Sequence, residues 1–307
     1  MRVVLQSFSR RAKSLFLTGV FVLLPYSCVV YGSASQVQPI LLVEALANNG
    51  KLSGYRITRL SGYVGGSEVL LSLEEPVYLL QCRAGAMYYL DGGGGLWKLP
   101  LSTKKPIKIA STGYIPQEGV TTNVVLDTQK EVMYAVSNSK PGDMKAMDSS
   151  FVVKKYSYNG VSEVLTSRQG RAFAIRPLSS DLLEVFTKNE LFQIDISTGA
   201  VKPIRLFEKI DVSDIQMIEG GLMFFGHDGG SEVEVRNGIL GRSIFRERIN
   251  GGFALVMDYN SRMRELLIVV VDPNFGPDRL IQVDLETGEQ TEVYKATSIG
   301  SACFSGN

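Results

Sequence analysis

The chain has 307 residues, with 32 Lys+Arg against 31 Asp+Glu, one His and three Cys, and 45% of its residues are hydrophobic. That is the composition of a globular protein, and a formal charge of +1 gives no long-range attraction to phosphate, so no nucleic-acid partner is expected. One His and three scattered Cys leave no ligand set for a zinc finger, a His-rich metal centre or a CxxC redox pair.

In chain order, the first feature is an address. Arg2, Arg10, Arg11 and Lys13 precede an apolar run over 15–24, which continues past Pro25 to Tyr31 and ends in Gly32-Ser33-Ala34. A basic segment, an apolar segment and a small-residue exit predict a secretory signal peptide over 1–34, cleaved after Ala34, and a single domain over 35–307. The location read from this is secreted or periplasmic. The alternative is an uncleaved membrane anchor over 15–31, against which Pro25 and the small-residue exit both argue. Ser9-Arg10-Arg11 fits the start of a twin-arginine signal, but Lys13 and Ser14 stand where that signal carries apolar residues. Cys28 is a candidate for lipidation, with Pro25 and Tyr26 fitting a lipobox badly. Removing 1–34 leaves 28 Lys+Arg against 31 Asp+Glu, a formal charge of −3. No Asn-x-Ser/Thr sequon occurs.

The body of the chain repeats. Leu96-Trp97-Lys98-Leu99-Pro100-Leu101-Ser102-Thr103, Leu191-Phe192-Gln193-Ile194-Asp195-Ile196-Ser197-Thr198-Gly199 and Leu280-Ile281-Gln282-Val283-Asp284-Leu285-Glu286-Thr287-Gly288 share one pattern, an alternating strand ending in a polar turn. From 96 to 280 there are four steps in 184 residues, a mean of 46, which is the period of four-stranded propeller blades. Inner strands are predicted over 76–82, 122–127, 172–178, 215–219 and 253–258, with second strands over 87–91, 132–137, 183–187, 222–226 and 266–271. These segments are rich in Val, Ile, Leu, Tyr and Phe and bounded by Gly, Asn, Asp and Pro. Segments 40–46, 55–60 and 68–73 lack an inner strand before them, while 298–304 is one strand left over. Letting the C-terminal strand complete the first blade removes the open edge and makes six blades. The expected fold class is therefore all-β, a six-bladed β-propeller closed by its C-terminal strand.

Cys82 and Cys303 fall at the ends of inner strands in neighbouring blades. In an oxidising compartment they can pair, but the spacing of adjacent inner strands favours two buried free thiols over the bond.

Candidate chemistry is sparse. A Ser-His-Asp hydrolase would depend wholly on His227, which lies in Gly226-His227-Asp228-Gly229-Gly230, a hairpin loop. Gly92-Gly93-Gly94-Gly95 joins two strands with no helix following, so it reads as a flexible loop and not as a phosphate cradle. Asp272-Pro273-Asn274-Phe275-Gly276-Pro277-Asp278 places acids at short spacing, yet two prolines and a glycine make a turn the simpler reading than a calcium loop. The loop 138–149, with Lys140, Asp143, Lys145 and Asp148, is the longest insertion and the expected contact region.

Glu74-Glu75-Pro76-Val77-Tyr78, then Met87-Tyr88-Tyr89-Leu90-Asp91 and Leu96-Trp97-Lys98-Leu99, resemble the opening signature of the gluconolactonase/regucalcin family of six-bladed propellers, and more loosely the TolB-like group. The resemblance implies a divalent metal, calcium or manganese, with Glu74 as a first ligand, Asn123 as a second and Asp91 beside the channel. It covers the opening blade well and the rest only as blade rhythm. Ala172-Phe173 replace the Asn-Gly of the family, and Thr187 stands where an Asp belongs. A hard cation wants six to eight oxygens with several carboxylates among them, which this set does not supply.

The first expectation is an exported binding module for a protein or small-molecule partner, a monomer with no cofactor and no catalytic residues assigned. The alternative is a metal-dependent lactonase or esterase-like hydrolase built on Glu74, Asn123 and Asp91. Membrane contact is expected only through an uncleaved signal segment or lipidation.

Overall fold

The computed structural model describes residues 38–48, 51–61, 66–116, 123–139, 149–187, 190–206, 214–217, 222–227, 231–237, 241–249, 252–274 and 276–305. The signal segment and its alternatives, Lys140 to Asp148, and Asp228 to Gly230 lie outside them. No helix among the described residues is long and apolar enough to cross a membrane.

Every described element is a strand. The first three are β1 (Ile40–Asn48), β2 (Lys51–Leu60) and β3 (Ser67–Leu73). A second group comprises β4 (Val77–Arg83), β5 (Ala86–Asp91), β6 (Gly95–Pro100) and β7 (Ile107–Ser111). A third comprises β8 (Val124–Asp127), β9 (Val132–Asn138), β10 (Ser150–Ser157) and β11 (Ser162–Gln169). A fourth comprises β12 (Ala172–Pro177), β13 (Leu182–Thr187), β14 (Glu190–Asp195) and β15 (Val201–Leu206). A fifth comprises β16 (Asp214–Met217), β17 (Leu222–His227), β18 (Glu232–Asn237) and β19 (Ser243–Arg248). The last strands are β20 (Phe253–Asn260), β21 (Glu265–Val271), β22 (Asp278–Asp284), β23 (Gln290–Ala296) and β24 (Ile299–Phe304).

These form six antiparallel four-stranded sheets, and the sheet of β1–β3 takes β24 as its fourth strand in the order β24-β1-β2-β3. The six-bladed all-β propeller read from the 46-residue period is what the chain adopts, C-terminal closure included. The first strand of each blade lies innermost, as the approach of β24 to β4, β4 to β8, β8 to β12, β12 to β16 and β20 to β24 shows.

Such a sheet has two faces to cover, and each blade covers them with its neighbours. Between the first and second blades, Leu41, Val43 and Ile57 meet Val77, Leu79, Met87 and Tyr89. Between the third and fourth, Tyr134, Val136 and Phe151 meet Ile175, Val185 and Phe192. The sixth packs on the first through Leu267, Val269 and Leu280 against Leu42 and Phe304. Each such side chain contributes roughly 1.5–3 kcal/mol on leaving water, so the seams are a main source of stability. The buried Glu44 in the seam of the first and sixth blades is paired. Glu44 accepts from Arg56 Nε and Nη2 at 2.9 and 2.6 Å and from the Tyr294 hydroxyl of the sixth blade at 3.4 Å.

Cys82 and Cys303 correct the expectation of free thiols: they are bonded, with Cα atoms 6.1 Å apart. The two inner strands β24 and β4 approach closely enough at that level to meet the 4.4–6.8 Å that a disulfide requires.

Candidate binding face

Because each blade is antiparallel, the start of its first strand, the end of its second, the start of its third and the end of its fourth share one face of the ring. Glu74, Asn123 and Asp91, the residues of the metal reading, all belong to this face. So do the flanks of the long loop, Asn138 and Ser149.

Each of the three has a different fate. Glu74, in the link from β3 to β4, is exposed, as is Glu75. Asp91 is bound up in its own turn. Its Oδ1 accepts the Gly93 and Gly95 amides at 2.9 and 2.7 Å, and its Oδ2 accepts the Trp97 indole N–H at 2.7 Å. The four glycines correct the flexible-loop reading: they make a tight turn wrapped on this carboxylate. Gly94 sits at φ +75°, and a Cβ there would lie 2.7 Å from the backbone of Gly113, so no side chain fits. Asn123 is 5% exposed, and its Oδ1 is buried with no hydrogen-bond partner. Its carbonyl accepts Val136 N–H at 2.9 Å. Among the described residues, no group of three or more His, Cys, Asp and Glu side chains could hold a metal ion.

Two residues whose role the sequence hides do the fastening. Asn138 bridges the third and fourth blades: its Nδ2 donates to the Ala172 carbonyl at 3.0 Å, and its Oδ1 accepts the Ala172 N–H at 2.9 Å. It thus extends the backbone pairing of β12 by one artificial rung. Asp278, at the start of β22, accepts the Ile299 N–H of β24 at 2.8 Å and is 6% exposed. Burial raises its pKa, opposed by hydrogen bonds from the Ile299 and Asp272 amides and the Ser298 side chain. The Asp272 carboxylate caps its own turn, with Oδ1 accepting the Asn274 N–H at 2.8 Å, which agrees with the turn reading. Tyr114, in the link to the third blade, donates to the Val136 carbonyl at 3.0 Å, and burial raises its hydroxyl pKa.

Among the described residues, the same face leaves at least three large apolar side chains in water, with Leu52, at the start of β2, 59% exposed. Phe253 opens β20 and Ile115 lies in the link after β7, and each is 47% exposed. The backbone of His227 ends β17 on this face as well.

No protein-family model and no curated protein sequence matches the chain. Solved structures do. A chain of the nidogen/laminin complex aligns with a TM-score of 0.56 at 11% identity, over 87% of this chain and 97% of that one. A putative TolB from Agrobacterium tumefaciens aligns with a TM-score of 0.51 at 9% identity, over 85% of this chain and 90% of that one. An oligogalacturonate lyase in complex with manganese gives 0.49 at 11% identity, over 78% and 71%. The chain is a β-propeller. At these identities the likeness establishes the fold and leaves the activity to the site.

Proposed function

We propose that the protein is an exported propeller that works as a binding module, holding a protein or small ligand on the face where the inner strands begin. The observation that carries this reading is a division of labour on that face. Asp91, Asn138 and Asp278 are spent on fastening backbone, which makes a rigid platform, while Glu74, Glu75, Ile115 and Phe253 are left to solvent. Export is supported by the address over 1–34 and by the Cys82–Cys303 bond, since disulfides persist in oxidising compartments. The test places a photo-crosslinking residue at Phe253, or at exposed Leu178 beyond the end of β12 on the opposite face. In extracts of the producing cells, an adduct is expected from 253 and not from 178. Equal adducts from both, or none from 253, would remove the reading.

The metal-dependent lactonase or esterase-like reading has one observation in its favour, the unpartnered Oδ1 of Asn123. Against it, Asp91 already accepts three hydrogen bonds, and a single exposed Glu74 with one amide is a poor cage for a hard cation. These residues do not fit the metal, and no step is built on it. The distinguishing measurement is melting with millimolar calcium or manganese. A rise for the wild type that is lost in Glu74→Gln would favour the hydrolase, and no rise would end it.

A further inference from the structure

We infer that the face opposite the proposed binding face docks on a bilayer rich in anionic lipid, resting on the rim of the first three blades. This goes beyond the proposed function and does not depend on it, because the two surfaces lie at opposite ends of the strands. Among the described residues, the large apolar side chains more than half exposed are Leu52, Val69, Ile107, Val161 and Val164. All but Leu52 stand where an outer strand begins: Val69 in β3, Ile107 in β7, Val161 just before β11 and Val164 within it. Three consecutive blades thus present aliphatic side chains on one rim. Such side chains find little to bury them on a nucleic acid or a charged glycan, but they gain by entering the boundary between lipid headgroups and acyl chains.

The charges around them choose the surface. The second blade carries Arg83, Lys98, Lys104, Lys105 and Lys108 toward this face, and its one carboxylate, Asp91, is spent in a turn on the other face. The first blade adds Arg59 and Glu68, paired at 2.7 Å, and Glu68 also takes Lys104. In the third, Asp127, Glu131 and Glu163 are matched by Lys130, Lys154 and Lys155. Nine cations therefore meet four carboxylates along the three blades, and the excess comes from the second. Lys98 and Lys108 lie over the Tyr88 and Trp97 rings, each 5.7 Å from the ring centre. Lys105 and Lys108 flank Ile107 in sequence, so ammonium and aliphatic groups reach the surface together. Salt screens charges beyond about 8 Å, so an anionic surface meets this local excess and not the formal −3 of residues 35–307. The sixth blade is the reverse, with Glu265, Asp284, Glu286 and Glu289 against Arg262 and Arg264, so the ring leans on its first three blades.

The experiment is co-sedimentation of the protein, taken from the soluble extract of its producing cells, with vesicles of phosphatidylcholine alone or with about one-third phosphatidylglycerol, in about 0.15 M salt. Binding is expected to the anionic vesicles, and about tenfold or more weaker binding to the neutral ones. Each cation near such a surface is worth about fivefold in affinity, so Lys105→Gln with Lys108→Gln should weaken binding about 25-fold. Ile107→Ser should weaken it about fivefold. Lys51→Gln with Leu52→Ser, the same chemistry on the other face, should change nothing. Circular dichroism reports whether each variant keeps its fold, and if the double lysine variant does not, Lys105→Gln alone and Ile107→Ser decide. Equal binding to both vesicles, binding to neither, or an equal loss in the Lys51 and Leu52 variant would overturn the proposal. So would duplex DNA or heparin bound as tightly as the anionic vesicles and indifferent to Ile107→Ser, which would assign the patch to a soluble polyanion.

Discussion

Two aspartates show how the same side chain is tuned in opposite directions by where the turn places it. Asp195 faces water at the β14–β15 turn, where Oδ1 accepts the Ser197 amide and hydroxyl at 2.9 and 2.6 Å and the Thr198 amide at 2.8 Å. The Ser197 hydroxyl, followed by the Thr198 amide, holds its pKa down at about 2. A depressed carboxylate stabilises the fold above its unfolded pKa and loses that contribution as pH falls through the folded value. The stability advantage of the wild type over Asp195→Asn should therefore be constant above a pH of about 5 and shrink between about 4 and 2. Asp278 is the reverse case: burial raises its pKa, so its neutral form is the one the fold favours. Its relative contribution is greatest below the unfolded pKa and declines as pH rises through the raised folded value. The wild type minus Asp278→Asn difference should fall with rising pH over that window, and urea unfolding at a series of pH values reads both slopes. Slopes of the same sign would contradict this account of at least one of the two environments.

At the scale of elements, the repeated turn explains why the blades were legible in the sequence. Asp284 accepts the Glu286 and Thr287 amides at 2.7 and 2.9 Å, the same cap that Asp195 makes, and Gly199 and Gly288 follow at φ +68° and +75°. Asp-x-x-Thr-Gly is thus a local device whose partners lie within four residues, so the period can be read directly. In the second blade Pro100 and Lys104 replace the Asp and the Gly, yet Lys104 still takes φ +53°, which shows that the hairpin geometry outlasts its signature. The fasteners are different. Asn138 meets Ala172 and Asp278 meets Ile299, partners 34 and 21 residues away that no local pattern announces, and both residues read instead as parts of loops. Cys82 and Cys303 were equally hard to read, because their pairing depends on how closely two blades approach and not on either strand. The turns also yield a graded prediction. At Gly288 an added Cβ meets nothing, so Gly288→Ala should cost only the left-handed penalty of about 1 kcal/mol. At Gly199 the Cβ would strike the Leu165 carbonyl oxygen of the preceding blade, so Gly199→Ala should cost about 2–3 kcal/mol. Equal losses in chemical denaturation would mean that the third and fourth blades are looser at this contact than their packing indicates.

For the whole ring, everything depends on one strand. β24 arrives last in the chain and must complete the first blade, and it is fastened on three sides. It pairs with β1 from Ile40↔Phe304 to Glu44↔Ile299. The sixth blade grips both of its ends, through Asp278 at Ile299 and through the Asp258 carboxylate, which accepts the Phe304 N–H at 2.8 Å. Cys303 then ties it forward to Cys82 in the second blade, across 221 residues of sequence. Cross-linking so long a loop removes about 5 kcal/mol of unfolded-chain entropy in the ideal-chain limit, and measured bonds usually give about 2–4 kcal/mol. Replacing both cysteines by Ala, Cys82→Ala with Cys303→Ala, should lower the unfolding free energy by an amount in that range while leaving the six-bladed fold intact, because the β1 pairing and both carboxylate grips remain. Hydrogen exchange tests where the loss falls. If the bond acts mainly on the unfolded chain, the amides of β24 and of a remote strand such as β13 should lose protection together. Selective loss in β24 and β1 would show instead that the disulfide is what keeps the ring shut in the native state.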